Sequence, residues 1–275
     1  VGLVRGLRQP AAIDTLAVLP FLNAGNDPAA EYLSDGITES LIGDLARLPG
    51  LRVKSRDAVF RYKGQPKDVG AVGRELGVRA VLRGRLAESA GELSITVELV
   101  DARDSNLLWT EQYKRKGGEL LAVEGEIAGE VSRRLRPGVT ATEQQQLVRR
   151  PTESAPAYQL YLRGRQAWWR RTEEALKSSV ELFNQAIEQD PGYARAWAGM
   201  ADSYNMLAAY GVLPPRDAFP RAKAAAQQAL ELDDSLAEPH ASLGRARTEY
   251  DWDWAGAERE YRRALELNPN YGTAH

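Results

Sequence analysis

The chain has 275 residues, with 36 Lys and Arg against 38 Asp and Glu, and its formal net charge of −2 offers nucleic acid no basic field. It has no cysteine and two histidines, His240 and His275, which excludes disulfides, thiolate zinc sites and cysteine nucleophiles and leaves almost no histidine-based catalysis. No window of 18 apolar residues and no secretory leader pattern occurs, so no membrane span is expected in this segment.

The first half alternates strand and helix signals. Thr15 to Phe21 is a short apolar run that predicts a buried first strand. Asp27-Pro28 reads as a helix N-cap with proline in the first turn. Ile37, Leu41, Leu45 and Leu48 then share one helical face until Pro49-Gly50 stops the helix. Leu51 to Ser55 is expected as a strand, Asp68 to Leu76 as a helix closed by Gly77, and Ala80 to Glu88 as a strand. Leu93, Ile95, Val97 and Leu99 alternate with Ser94, Thr96 and Glu98, the pattern of a half-buried strand, with Gly91 marking the hairpin before it. Leu107 to Tyr113 is a further strand, and Leu120, Val123, Ile127, Val131 and Leu135 lie on one face of a closing helix. The order β-α-β-α-β-β-β-α predicts an α/β domain over 12–136, one mixed sheet with helices packed on it. Residues 137–154, with Pro137 and Pro151, read as a linker, partly helical.

From residue 155 to 275 the sequence changes to alanine, leucine and aromatic residues at helical spacing, and it repeats. Ala186 to Pro191, Ala229 to Asp234 and Ala264 to Pro269 are similar segments whose leading alanines lie 43 and 35 residues apart. A period of about 34 residues is the signature of tetratricopeptide (TPR) helix pairs. Trp197, Met200, Ala201 and Tyr204 meet the expected first-helix series, and Ala257, Tyr261, Ala264 and Pro269 the second. The series His240, Leu243, Gly244 and Arg247 lacks its last aromatic. The longer spacing places a loop insertion at about Gly211 to Arg216. About three repeats and the start of a fourth are expected, in an all-α solenoid. The chain does not begin with Met and stops within a new repeat, so it reads as part of something longer.

Two stretches carry a family resemblance. Ala17-Val18-Leu19-Pro20-Phe21 followed by Glu31 to Glu39 (EYLSDGITE) resembles the amino-terminal region of TolB-like domains. Arg61-Tyr62-Lys63-Gly64, Val72 to Val78 and Leu107-Leu108-Trp109 continue the match over about residues 12 to 136. The turn Asp104-Ser105-Asn106 departs from the usual Thr-Gly. A TolB-like domain followed by TPR repeats looks like the carboxyl-terminal part of bacterial signalling proteins. There it follows a serine/threonine kinase, a nucleotide cyclase or a winged-helix regulator, often across a membrane segment. The resemblance implies a sensor or scaffold attached to an output domain, on either side of a membrane.

Candidate sites follow. Ser34, Asp35 and Thr38 could hold a small ligand at a helix start, or could simply cap that helix with Gly36 easing its entry. Gly70, Gly73 and Gly77 do not match a phosphate-cradling spacing. Arg83 and Arg85, with Lys114, Arg115 and Lys116 nearby in sequence, offer either a basic patch or a solvated sheet face. In the repeats, the groove-facing positions are Tyr161, Arg165, Trp168, Asp202, Asn205, Arg245 and Glu249, where arginine and asparagine could clamp a peptide. Solvated helix surface, with Trp168 or Trp169 packed on the first domain, is the plainer account. Trp252 and Trp254 are expected to plug a gap between helices, and His240 to be a packing histidine rather than a metal ligand.

The expected function is a non-catalytic interaction or sensory module with a protein or peptide partner and no cofactor. The alternatives are a small-molecule or hydrolytic site in the first half, using Asp35 and Glu39 as acid and base, and a cell-envelope assembly scaffold by analogy with TolB.

Overall fold

A computed structural model of the chain describes residues 13–25, 27–65, 68–89, 91–116, 119–148 and 150–274. Strand β1 (Thr15–Val18) is buried at all four positions because it lies between two parallel neighbours. Pro20 has no N–H to give a ladder, so the apolar run splits and a separate β2 (Leu22–Asn23) follows. With β3 (Arg52–Val53), β4 (Ala80–Ser89), β5 (Glu92–Asp101) and β6 (Asn106–Lys116), the sheet order is β3-β1-β4-β5-β6, β2 also pairing with β4. The β3, β1, β2 and β4 pairings are parallel and the β4-β5-β6 pairings antiparallel, so the sheet is mixed as the pattern predicts.

Helices α1 (Glu31–Ala46), α2 (Arg56–Phe60), α3 (Val69–Leu76) and α4 (Leu120–Leu135) complete the first half. Helix α1 is entered through a 3₁₀ turn, Pro28–Ala30, capped by the Asp27 side chain, which accepts from the Ala29 N–H. Ile37, Leu41 and Leu45 are fully buried and form the stripe that seats α1. On β5, Leu93, Ile95, Val97 and Leu99 are buried between half-exposed neighbours. Across from them on the wet face, Arg83 and Arg85 are exposed, and Arg83 pairs with Glu98 at 2.6 Å. The turn Asp104-Ser105-Asn106 closes with Ser105 at φ +59°, held by the Asn106 N–H donating to Asp104.

Residues 141–148 form α5 (Ala141–Val148), packed back on α4 through Gln144, whose amide donates to the Gly129 carbonyl. Three antiparallel helix pairs follow: α6 (Ala155–Arg170) with α7 (Glu173–Gln189), α8 (Ala194–Ala209) with α9 (Pro215–Leu232), and α10 (Ala237–Ala246) with α11 (Trp254–Leu267). They stack as a TPR-type solenoid. Phe183 of α7 is the wedge between the first two pairs. A methyl added at Gly164 or Gly199 would stand 2.7 Å or 2.5 Å from its ring. Tyr261 of α11 faces Gly244 in the same way. Small residues thus set the spacing and aromatics fill it. The insertion is a loop opened by Gly211 at φ +68°, before Pro215 starts α9.

One expectation fails. Trp252 and Trp254 plug no gap: they are 71% and 62% exposed. A π-helical turn, Arg247–Asp251, widens the end of α10, and Tyr250 takes the inward place, stacked on Phe219 with ring centroids 5.5 Å apart. The two indoles are left outside, edge to face. His240 is partly buried and bonds Glu260 at 2.7 Å.

The two halves do not hang apart on a tether. Leu41 and Val123 of the first half belong to one continuous buried cluster with Tyr158, Leu162, Phe183 and Tyr193 of the solenoid.

Candidate functional site

Helix α1 has two working faces. Its core stripe seats it on the sheet. The opposite stripe, Gly36, Glu39, Ser40, Gly43 and Asp44, recurs at spacings of 3, 1, 3 and 1 residues and so shares one side of the helix. That side faces the inner wall of the solenoid. At Gly36 the approach is closest, since a Cβ there would lie 2.7 Å from the Leu162 side chain of α6.

Glu39 is the centre of the contact. Its Oε1 accepts from Arg165 Nε at 2.7 Å, and Arg165 Nη2 lies 2.5 Å from the same oxygen. Its Oε2 accepts from the Trp169 indole N–H at 2.8 Å and lies 3.5 Å from Arg56 Nε. Arg56 is itself sandwiched between the Phe60 and Trp169 rings, 3.6 Å and 3.9 Å from their centroids. Arg165 also reaches Asp202 of α8 at 3.3 Å. Burial works against the charge of Arg165, but Glu39 and Asp202 outweigh it, and the guanidinium is held above its ordinary pKa. One turn along, Asp44 pairs with Arg195 of α8 at 2.5 Å. Burial opposes the charge of Arg195 too, and Asp44 more than restores it.

Behind these pairs, Glu124 of α4 is fully buried. It accepts from the Tyr158 hydroxyl of α6, which also lies 3.5 Å from Ser40. Burial pushes this carboxyl up to about 8, against the hydrogen bonds from Tyr158 and Ser40. At the far end of the contact, Asn270 donates to the backbone carbonyls of Ala46 and Leu51 at 3.1 and 3.2 Å.

Between α1 and the inner wall remains a cleft of about 480 Å³. Charges from both halves line it. Among the described residues, Arg47 just after α1, Asp57 of α2 and Glu238 of α10 line it without an ion pair.

The groove positions read from the repeats divide accordingly. Tyr161, Arg165, Trp168 and Asp202 line the cleft. Asn205, Arg245 and Glu249 do not: Asn205 is buried and ties α8 to the Ser242 carbonyl of α10, and Arg245 bonds Glu249 on its own helix line. Ser34, Asp35 and Thr38 are brought to the other side of α1, within the helix and not at its start. Ser34 donates to the Glu31 carbonyl, Thr38 accepts from the Phe21 N–H, and Asp35 pairs with Lys63 at 2.6 Å. Burial works against the charge of Lys63, and Asp35 and Glu31 raise its pKa in spite of it. Asp35 and Glu39, considered as an acid and base, are each held in an ion pair. No cluster of metal-ligating side chains occurs among the described residues. Nor is any helix there long and apolar enough to cross a membrane.

Sequence reading passed over Glu39 as a docking residue, along with Asp44, Arg195 and Asn270. A signal was present: Gly36 on the non-core face of a helix, at about 1 kcal/mol, is accounted for by the close approach of Leu162.

The chain can be set beside known proteins on this geometry. Residues 12–128 match a family described as the second domain of HilA/YgeH-like transcriptional regulators. "Putative adenylate cyclase 3" of Rhizobium meliloti (strain 1021) is 34% identical over 243 residues, covering 86% of this chain and 41% of that protein. The chain therefore spans about two-fifths of that relative's length. Among solved structures, the Arabidopsis OM64 TPR domain aligns with 43% of this chain and 87% of its own, at 20% identity and a TM-score of 0.36. TolB from Acinetobacter baumannii aligns with 46% of this chain and 30% of its own, at 16% identity and a TM-score of 0.35.

Proposed function

We propose that this chain is a non-catalytic protein-interaction segment of a larger signalling protein, and that it takes a protein or peptide partner in the cleft between α1 and the solenoid. The carrying observation is the cleft itself. Its walls come from both halves, and among the described residues its lining includes Arg47, Asp57 and Glu238, charges held in no ion pair. A surface of that kind suits polar side chains of a polypeptide better than an apolar cofactor. The names of the relatives fit this reading. One is named a putative adenylate cyclase, and the family that matches residues 12–128 is described as a domain of transcriptional regulators.

Site-specific photo-crosslinking in the intact protein tests it. A photoreactive residue in place of Glu238 or Thr273, both in the cleft lining, should yield a discrete protein adduct. The same residue in place of Glu181 or Arg262, exposed on the outer helices, should not. Equal labelling from both pairs of positions would overturn the proposal.

A further inference from the structure

We infer that the inner wall of the solenoid is a seat for an acidic, small-residue helix face, that α1 occupies it in cis, and that a partner helix with the same stripe exchanges with α1. This rests on the reading of the cleft as a protein-binding site and names the chemistry of its partner.

The seat has three parts, each tied to one feature of the occupant. Leu162 packs closest at Gly36, where a Cβ would lie 2.7 Å from its side chain and force it to shift. Arg165 and the Trp169 indole take one carboxylate, at Glu39. Arg195, on the next helix pair, takes a second, at Asp44. The solenoid therefore reads a glycine, a carboxylate three residues on and another five beyond it, spread over one side of the helix. Gly43 on the same side meets nothing within 4 Å, so the cleft opens beside the docked helix.

The polar bonds that α1 itself makes along the stripe are of an exchangeable kind: arginine–carboxylate pairs and one indole bond, each of which an incoming helix of the same stripe would restore. Such a swap costs the difference between the two occupants. The cis arrangement keeps contacts that a competitor gives up: Arg56, Glu124 against the Tyr158 hydroxyl, the Leu51 carbonyl that Asn270 reaches, and the buried apolar cluster shared by the two halves.

A labelled peptide of residues 31–47, with Ile37, Leu41 and Leu45 changed to alanine so that only the docking stripe is read, tests the inference on the full chain. The double variant Glu39→Gln/Asp44→Asn should bind the peptide at least tenfold more tightly than the native chain, because its own α1 no longer competes on equal terms. A peptide carrying Gln and Asn at those two positions should bind the variant at least tenfold more weakly than the acidic peptide. Equal binding by native chain and variant, or equal binding of the two peptides, overturns it. If the double variant loses its melting transition, Glu39→Gln alone, which keeps the Asp44–Arg195 pair, decides in the same sense with a gain of about threefold. Crosslinks in the cleft without peptide exchange would spare the proposed function and end this inference. Peptide exchange without crosslinks would do the reverse.

Discussion

Glu39 shows how much a single carboxylate can settle. It is 21% exposed, and its partner Arg165 is 14% exposed, so neither is free to rehydrate if the other is lost. Removing one member of such a pair leaves a poorly solvated charge, at a cost of about 3 kcal/mol. The two losses are unequal here. Without Arg165, Glu39 keeps the Trp169 N–H and Arg56, whereas without Glu39, Arg165 keeps one carboxylate, Asp202, and the faces of Trp168 and Trp169. We expect Glu39→Ala to lower unfolding stability more than Arg165→Ala. The double-mutant cycle should give a coupling of at least about 1 kcal/mol. Chemical denaturation of the four proteins measures it, and additive losses would show the pair to be independent. The same residue explains what the sequence concealed. Its neighbours in the motif, Ser34, Asp35 and Thr38, drew attention as candidate ligands, yet all three turn toward their own domain. A helix phase tells which residues share a side, not what lies across from them. The partner of Glu39 is 126 residues away.

At the scale of elements, legibility followed short-range physics. The strict alternation of β5 and the leucine stripe of α1 are both visible because each depends on one buried face. The helix pairs were visible because the alanine-led segments Ala186 to Pro191, Ala229 to Asp234 and Ala264 to Pro269 repeat, and Gly164 and Gly244 each face an aromatic ring of the second helix of their pair. Element breaks set by a single backbone feature were harder. Pro20 divided a strand, and the π-helical turn at Arg247–Asp251 turned two tryptophans outward. These differences predict opposite outcomes for aromatic truncations. Phe183 is fully buried between two helix pairs, so Phe183→Ala should cost about 3–5 kcal/mol. Trp252→Ala, although it removes the larger side chain, should stay within about 0.5 kcal/mol. Gly199→Ala should cost about 1–3 kcal/mol, because the methyl meets a ring that is itself packed against Gly164. Thermal melts rank the three. A Trp252→Ala loss as large as that of Phe183→Ala would contradict the outward placement of the indole.

For the whole molecule, the question is what conditions hold the two halves together, and Glu124 answers part of it. It sits where α4, α1 and α6 meet, with Tyr158 and Ser40 against it and Asp44 and Arg195 in the surrounding field. Burial is the main cause of its raised pKa, to about 8. In the unfolded chain the same carboxyl titrates near its ordinary 4.5. Below that value it is protonated in both states and contributes no pH dependence. Between 4.5 and 8 the folded state holds a proton that the unfolded state has released, so folding becomes less favourable as pH rises. Above 8 both states are ionised and the slope from this group ends. The loss accumulated across that window is on the order of 5 kcal/mol. Glutamine at the same place keeps a carbonyl for the Tyr158 hydroxyl and never ionises. Unfolding stability of Glu124→Gln should therefore fall less steeply than that of the native chain from pH 5 to 8, ending higher at pH 9. Because the group lies between the halves, the divergence should be accompanied by faster hydrogen exchange along α1 and α6 in the native chain alone. Parallel stability curves for the two proteins would mean that Glu124 ionises in the folded chain at its ordinary pH. The contact between the halves would then owe nothing to its protonation.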